Sequence, residues 1–179
     1  MKGFKMGTIK GIAIEIHPSW LIIFALLSFM LATGYFPENY PEWSQAVVWI
    51  LSILMAGLLF ASVLLHELSH SLVSKKLGIE VSRITLFIFG GLAQMEKEPD
   101  EPSKELKIAI AGPFMSIFLG AFFFLVSRIA GVLGAGEEVM VPILYAMGAN
   151  FILAIFNLVP AFPLDGGRVF RALLWGWKG

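Results

Sequence analysis

Long apolar runs alternate with short polar segments along most of the chain, and this spacing predicts four membrane-spanning helices. The predicted helices cover residues 18–35, 44–77, 104–132 and 139–159. A helix needs about 20 apolar residues to cross a hydrocarbon core of about 30 Å, so each run is long enough. The second run would extend about 50 Å at ~1.5 Å per residue. We therefore expect that helix to tilt or to protrude from the bilayer.

Two other segments carry the pattern of β-strands. In residues 4–16, apolar and polar positions alternate around Lys10-Gly11, which suits a turn, so this segment predicts a β-hairpin at the membrane surface. Residues 79–95 are rich in β-branched and aromatic residues and are interrupted at Gly90-Gly91, which predicts a second pair of short strands. The fold class is therefore an all-α polytopic membrane protein of about four transmembrane helices, with small membrane-associated strands.

The end of the fourth predicted helix is irregular. The segment NLVPAFPLDGG contains two prolines and two glycines, which break the helix. A shorter helical piece is expected at 168–177. Irregular backbone at membrane depth is tolerated where it lines a water-filled cavity, so this break favours a site over simple lipid contact.

The composition supports a membrane location and excludes other classes. Hydrophobic residues make up 58% of the 179 residues, charged residues only 15%, and mean hydropathy is +0.81. A soluble domain would carry about 25% charged residues. The length suits one domain, residues 1–179, and a net charge of zero argues against a nucleic-acid partner. The chain has no cysteine, so disulfides and thiolate metal sites are excluded, and the strand-like N-terminal segment does not predict a cleavable signal peptide.

The distribution of charges predicts the orientation in the membrane. The loops at 36–43 and 131–139 carry four glutamates and no lysine or arginine. The other lysines and arginines, except Arg128, fall on the opposite side, which the positive-inside rule makes cytoplasmic. Arg168 and Arg171 are expected to mark that cytoplasmic boundary.

Ionisable residues interrupt the second apolar helix in the segment HELSH. His66 and His70 are four residues apart, so on a helix they share a face and can bind one metal ion. Glu67 is next to them, where a carboxylate can take a proton from water. Imidazole ligands favour zinc, and a zinc hydrolase needs a third protein ligand. The structural alternative for these three residues is a polar contact between helices.

Few residues are available as the third ligand. His17 is the only other histidine, and it precedes Pro18 at a predicted membrane interface, which favours a structural role. The aspartates are Asp100, in the polar loop, and Asp165, at the same end of the membrane as His70. An ionisable residue in an apolar span predicts function, with zinc as its partner here. A turn residue is the alternative for Asp165.

The motifs HELSH (66–70) and NLVPAFPLDGGR (157–168) together resemble those of the site-2 protease family of intramembrane zinc metalloproteases, peptidase family M50. GGLAQM (90–95) and AGP (111–113) resemble that family's pattern in the same order. The resemblance extends from Lys10 to about Leu174. It implies a zinc metalloendopeptidase that hydrolyses peptide bonds of transmembrane segments near the cytoplasmic side, in regulated intramembrane proteolysis. It also implies a multi-pass protein in the cell membrane of a prokaryote, with a transmembrane protein as substrate and the lipid bilayer as its surroundings.

The same resemblance implies roles for individual residues. His66, His70 and Asp165 would bind one Zn²⁺ per chain, and Glu67 would be the general base. Asn157 would steady the substrate carbonyl or its oxyanion. Gly90, Gly91 and Leu92 would offer a strand edge to an unwound substrate, and pairing at an edge would hold that substrate extended.

Several alternatives remain open at the level of sequence. The amide of Asn157 can instead stabilise a broken helix, and Asn150 can be the functional amide. Gly90 and Gly91 can simply form a turn, and Ala111-Gly112-Pro113 suits packing more than chemistry. The chain ends shortly after DGGR, whereas many members of the family continue. A non-proteolytic metal-binding scaffold or an inactive truncated core is therefore the alternative function, and the oligomeric state is not specified by the sequence.

Overall fold

The computed structural model describes residues 3–88 and 90–178, and it combines apolar helices with one small sheet. A π-helical turn, Leu31–Tyr35, joins the first two helices. The elements follow in the order β1 (Phe4–Ile9), β2 (Ile12–Ile16), α1 (Pro18–Met30), α2 (Phe36–Asn39), α3 (Gln45–Lys76), β3 (Val81–Phe87), β4 (Gly90–Met95), α4 (Pro102–Val132), α5 (Glu137–Asn157) and α6 (Asp165–Lys178).

Four helical segments are long and apolar enough to cross a membrane, as the sequence predicts. They are Pro18–Asn39, Gln45–Lys76, Pro102–Val132 and Glu137–Asn157. The prediction of a loop from residue 36 was wrong, because helix continues through α2 to Asn39. Phe36 is fully buried against α3, so this turn packs into the core. Pro37 lies in the first turn of α2, where a missing N–H costs little.

Helix α3 is bounded by clear local signals. The Ser44 side chain accepts a hydrogen bond from the Val47 N–H and so caps the N-terminus. Lys75 and Lys76 occupy the last turn, where cations interact favourably with the helix dipole. Gly78, at φ +80°, then adopts the left-handed conformation that commonly follows a helix end. The helix therefore ends within one residue of the bounds expected from the sequence.

The two predicted strand pairs form one four-stranded sheet in the order β1-β2-β3-β4. The outer pairs are antiparallel hairpins, whereas β2 and β3 are parallel, a pairing that the sequence did not predict. Buried Ile12 and Ile84 pack with Leu68 of α3, which fixes the sheet against the end of α3 that carries HELSH. The predicted segment 79–95 also includes Phe89, which lies outside the described residues.

The backbone between α5 and α6 differs in detail from the sequence prediction. Helix α5 ends at Asn157 rather than at 159, and α6 begins at Asp165 rather than at 168. Gly166 and Gly167 are therefore helical and do not break the chain. A Cβ atom at Gly166 would overlap the carbonyl oxygens of Leu158 and Val159, and one at Gly167 would lie 2.8 Å from the Ala161 carbonyl. These two glycines allow α6 to pack closely on the irregular segment before it.

Candidate metal centre and catalytic cavity

Three potential metal ligands converge where α3 meets the start of α6. Oδ2 of Asp165 lies 3.0 Å from Nε2 of His66 and 3.1 Å from Nε2 of His70. The donor atoms of the three residues all lie within 4.8 Å of one another, and all three residues are buried. Residues that are 99 positions apart in sequence thus form one compact donor set.

Helix α4 fixes the orientation of both imidazole rings. Nδ1 of His66 lies 2.8 Å from the Ser116 hydroxyl, and Nδ1 of His70 donates to the Ile108 carbonyl at 2.6 Å. With Nδ1 engaged in this way, Nε2 of each ring is directed at Asp165. Hydrogen bonds of this kind hold metal-binding histidines in the tautomer and orientation that coordination needs.

Gly112 lies on the same face of α4, between these two supports. A Cβ atom at this position would overlap Nε2 of both His66 and His70. The sequence of Ala111-Gly112-Pro113 suits packing, and the residues that pack against Gly112 are the two histidines of the candidate metal site.

The donor set fits zinc. Asp165 offers a carboxylate oxygen, a ligand that zinc accepts beside imidazole nitrogen. Two imidazole nitrogens and one carboxylate match the three-ligand sets of catalytic zinc sites, which leave a fourth position open.

A cavity of about 490 Å³ opens beside the donor set. Its walls come from α3, the β3–β4 hairpin, the end of α5 and the start of α6. The eight residues to which the family resemblance assigns roles all lie on its walls: His66, Glu67, His70, Gly90, Gly91, Leu92, Asn157 and Asp165.

Strand β4 approaches the helix next to Glu67. A Cβ atom at Gly91 would overlap Cγ of Glu67, so a larger residue here would displace the Glu67 side chain. Gly90 has φ +127°, a conformation that favours glycine, and it opens the strand after the hairpin turn. The two glycines therefore serve different purposes, one in the turn and one in close approach to Glu67.

The two candidate amides have different surroundings. Asn157 lines the cavity and donates one amide hydrogen to the Leu153 carbonyl at 2.9 Å. Asn150 is fully buried away from the cavity walls and donates to the Ser62 hydroxyl at 2.9 Å. It therefore links α5 to α3. His17 accepts a hydrogen bond from the Ser19 N–H and caps α1, a structural role.

The family model "Peptidase family M50" matches residues 54–137 and 127–179. A predicted zinc metalloprotease of Synechocystis sp. is 42% identical over 98% of this chain and 45% of its own length. A zinc metalloprotease of Methanocaldococcus jannaschii is 41% identical over 93% of the chain and 44% of its own length. The chain thus spans about half the length of these relatives.

Among solved structures, the site-2 protease from Methanocaldococcus jannaschii matches 99% of this chain and 74% of its own, with a TM-score of 0.62 and 34% identity. The fold is thus shared with a solved site-2 protease, and in this chain it encloses a buried His-His-Asp cluster. The chain belongs to peptidase family M50, and the resemblance seen in its motifs is confirmed.

Proposed function

We propose that residues 1–179 form a single transmembrane core domain that hydrolyses peptide bonds of transmembrane segments with the help of one zinc ion. The observation that carries this proposal is the convergence of His66, His70 and Asp165 beside Glu67 in one cavity. The match of residues 54–179 to peptidase family M50 also supports the proposal, as do relatives whose names describe zinc metalloproteases.

The roles of the site residues follow from their chemistry. His66, His70 and Asp165 would hold the ion. When bound, zinc polarises a carbonyl group and lowers the pKa of water to about 7. Glu67 would act as general base and take a proton from the attacking water. It would later give that proton to the leaving amine.

The β4 strand provides a surface for the substrate backbone. Within the described chain, β4 pairs with β3 alone, so its other edge has no partner strand. Its residues Gly90, Gly91 and Leu92 line the cavity. A transmembrane helix hides its amides in internal hydrogen bonds, so a substrate must unwind before cleavage, and pairing with β4 would hold it extended.

The amide of Asn157 can complete the site. One of its two N–H hydrogens is used on Leu153, which leaves a second for a carbonyl oxygen that becomes negatively charged during attack. The irregular residues 158–164 end helix α5 beside the cavity, and this interruption would let water reach the site.

The positions of the lysines on α3 indicate where in the membrane cleavage would occur. By the positive-inside rule, the end of α3 with Lys75 and Lys76 lies in the cytoplasm, and His70 lies about 8 Å of helix rise from it. Cleavage would therefore occur in the cell membrane of a prokaryote, close to its cytoplasmic face. Regulated intramembrane proteolysis is the process that such a cut would serve.

A cleavage assay tests the proposal. Purified protein in detergent is mixed with a transmembrane model substrate, and wild type, a chelated sample, Glu67→Gln and the control Glu80→Gln are compared. We expect cleavage by wild type and Glu80→Gln only, restored in the chelated sample by added zinc. Normal cleavage by Glu67→Gln would contradict the mechanism. If no sample cleaves but wild type binds zinc more tightly than Asp165→Ala, the metal-binding scaffold is favoured.

A further inference from the structure

Helix α4 contains a buried carboxylate that has no part in the proposed chemistry. Glu105 lies in the first turn of the helix and is only 1% exposed. A carboxylate buried without a partner is strongly unfavourable. Its cationic partners both come from α6, the helix that begins with Asp165.

Two arginines meet one oxygen of this carboxylate. Arg171 donates from Nε to Oε1 of Glu105 at 2.8 Å, and its Nη2 reaches the same oxygen. Nε of Arg168 lies 3.9 Å from that oxygen. The Arg171 guanidinium also lies over the Phe162 ring, 5.9 Å from its centroid. This cluster thus connects α4, α6 and the irregular segment that precedes α6.

The position of the Asp165 carboxylate depends on how α6 is docked. Asp165 is the first residue of that helix, and Arg168 and Arg171 follow it at intervals of one helical turn. The backbone before Asp165 is not helical from 158 to 164. Because that backbone is irregular, contacts on the sides of α6 set much of its orientation, and the contact with Glu105 is a charged one.

The same face of α4 then supports all three candidate ligands. Ser116 contacts His66, and the Ile108 carbonyl accepts from His70. Glu105 reaches Asp165 indirectly, through the arginines of α6. Glu105, Ile108, Gly112 and Ser116 lie three or four residues apart and so share one face of the helix.

We propose that Glu105 is a positioning residue of the metal centre, which holds Asp165 at the coordinating position through Arg171 and Arg168. This inference rests on the proposed function and specifies how its third ligand is fixed. Glu105 itself contacts neither the ion nor the substrate.

The test measures metal binding separately from cleavage. Zinc affinity is determined by competition with a chelator for wild type, Glu105→Gln, Arg171→Gln, the double variant and Asp165→Ala, all full-length in detergent. Cobalt spectra of the same proteins report the geometry around the ion. Asp100→Asn is the matched control, because Asp100 also pairs with a cation, Lys104 at 2.8 Å, but on the exposed side of this region.

We expect Glu105→Gln and Arg171→Gln each to weaken zinc binding roughly 10- to 100-fold, as loss of an outer partner does at other sites. The double variant should bind zinc no more weakly than whichever single variant binds it less tightly. The reason is that both substitutions break the same contact, between Glu105 and Arg171. The cobalt spectrum should change in both single variants. Without metal, hydrogen exchange in the first turns of α6 should be faster in these variants than in wild type. Asp100→Asn should match wild type in every measurement.

Suppose that Glu105→Gln and Arg171→Gln fold, bind zinc as tightly as wild type and keep its cobalt spectrum, while Asp165→Ala loses zinc. This result would overturn the positioning role of Glu105 and leave the proposed metal centre intact. Equal zinc binding by wild type and Asp165→Ala would overturn the proposed metal centre as well. If Arg171→Gln does not fold, Glu105→Gln decides, since it removes the buried charge, and the Arg171 side chain that it leaves unpaired is 45% exposed.

Discussion

The hydroxyl of Ser116 lies 2.8 Å from Nδ1 of His66, so a residue of α4 orients a candidate metal ligand of α3. This contact joins positions 50 residues apart. It also shows that the HELSH helix does not form the site by itself. The partners on α4 orient the imidazole nitrogens of both histidines.

Replacing Ser116 by alanine should weaken zinc binding roughly 10- to 100-fold, because His66 loses the partner that fixes its ring. Chelator competition measures the affinity. Ser127→Ala is the control on the same helix, since Ser127 donates only to the Phe124 carbonyl, at 2.7 Å. Equal affinities for the two variants would show that the Ser116 contact does not support the ligand.

Replacing Gly112 by alanine should be more severe. The added Cβ overlaps Nε2 of both histidines, so we expect zinc affinity to fall by at least the roughly 10- to 100-fold that follows loss of an outer partner. Gly57→Ala is a suitable control on α3, because a Cβ atom there has no neighbour within 4 Å. That variant should keep its zinc and gain up to about 1 kcal/mol of helix stability. Full zinc content in Gly112→Ala would contradict the arrangement of α3 and α4.

Replacing Gly91 by alanine should separate binding from catalysis. The new Cβ overlaps Cγ of Glu67 and displaces the base, and a displacement of about 1 Å can cost about 100-fold in rate. Zinc content should stay at the wild-type level. Cleavage rate and metal content are measured on the same sample, with Gly7→Ala as the strand control because its Cβ would lie in open space. An unchanged rate would mean that β4 does not constrain Glu67.

The two asparagines should respond differently to alanine. Asn157→Ala should lower kcat by about 10²- to 10³-fold if its amide stabilises the oxyanion. Asn150→Ala removes a hydrogen bond between helices, worth about 0.6 kcal/mol in membranes, and should lower thermal stability while kcat stays unchanged. Rates and melting temperatures of both variants provide the comparison. A lower kcat in Asn150→Ala, with an unchanged kcat in Asn157→Ala, would make Asn150 the functional amide.

The parts of the fold that the sequence predicted are those with strong local signals. Apolar runs of about 20 residues fix the helices, and the cap at Ser44 with the glycine at 78 defines the ends of α3. His66, Glu67 and His70 are recognisable because their spacing is that of one helix face. Asp165 was a candidate because aspartates are scarce in this chain and a zinc site would require one more ligand, and the resemblance to the family implied the same role.

The parts that were missed depend on contacts between distant segments. Helix α4 is apolar over most of its circumference, so its pattern does not show which face meets the histidines. Glu105 and Ser116 gain their importance only when α4 packs on α3 and α6. The parallel pairing of β2 with β3 was missed for the same reason, because helices α1 to α3 separate the two strands.

The separation of His66 and Asp165 in sequence has a consequence for synthesis in the cell. A ribosome that adds about 5–20 residues per second needs roughly 5 to 20 seconds to translate the 99 positions between them. During that interval the nascent chain carries the two histidines and the glutamate without the aspartate. Under the proposed mechanism, the zinc site would therefore stay incomplete during the early stages of membrane insertion, and it would form only after α6 has docked.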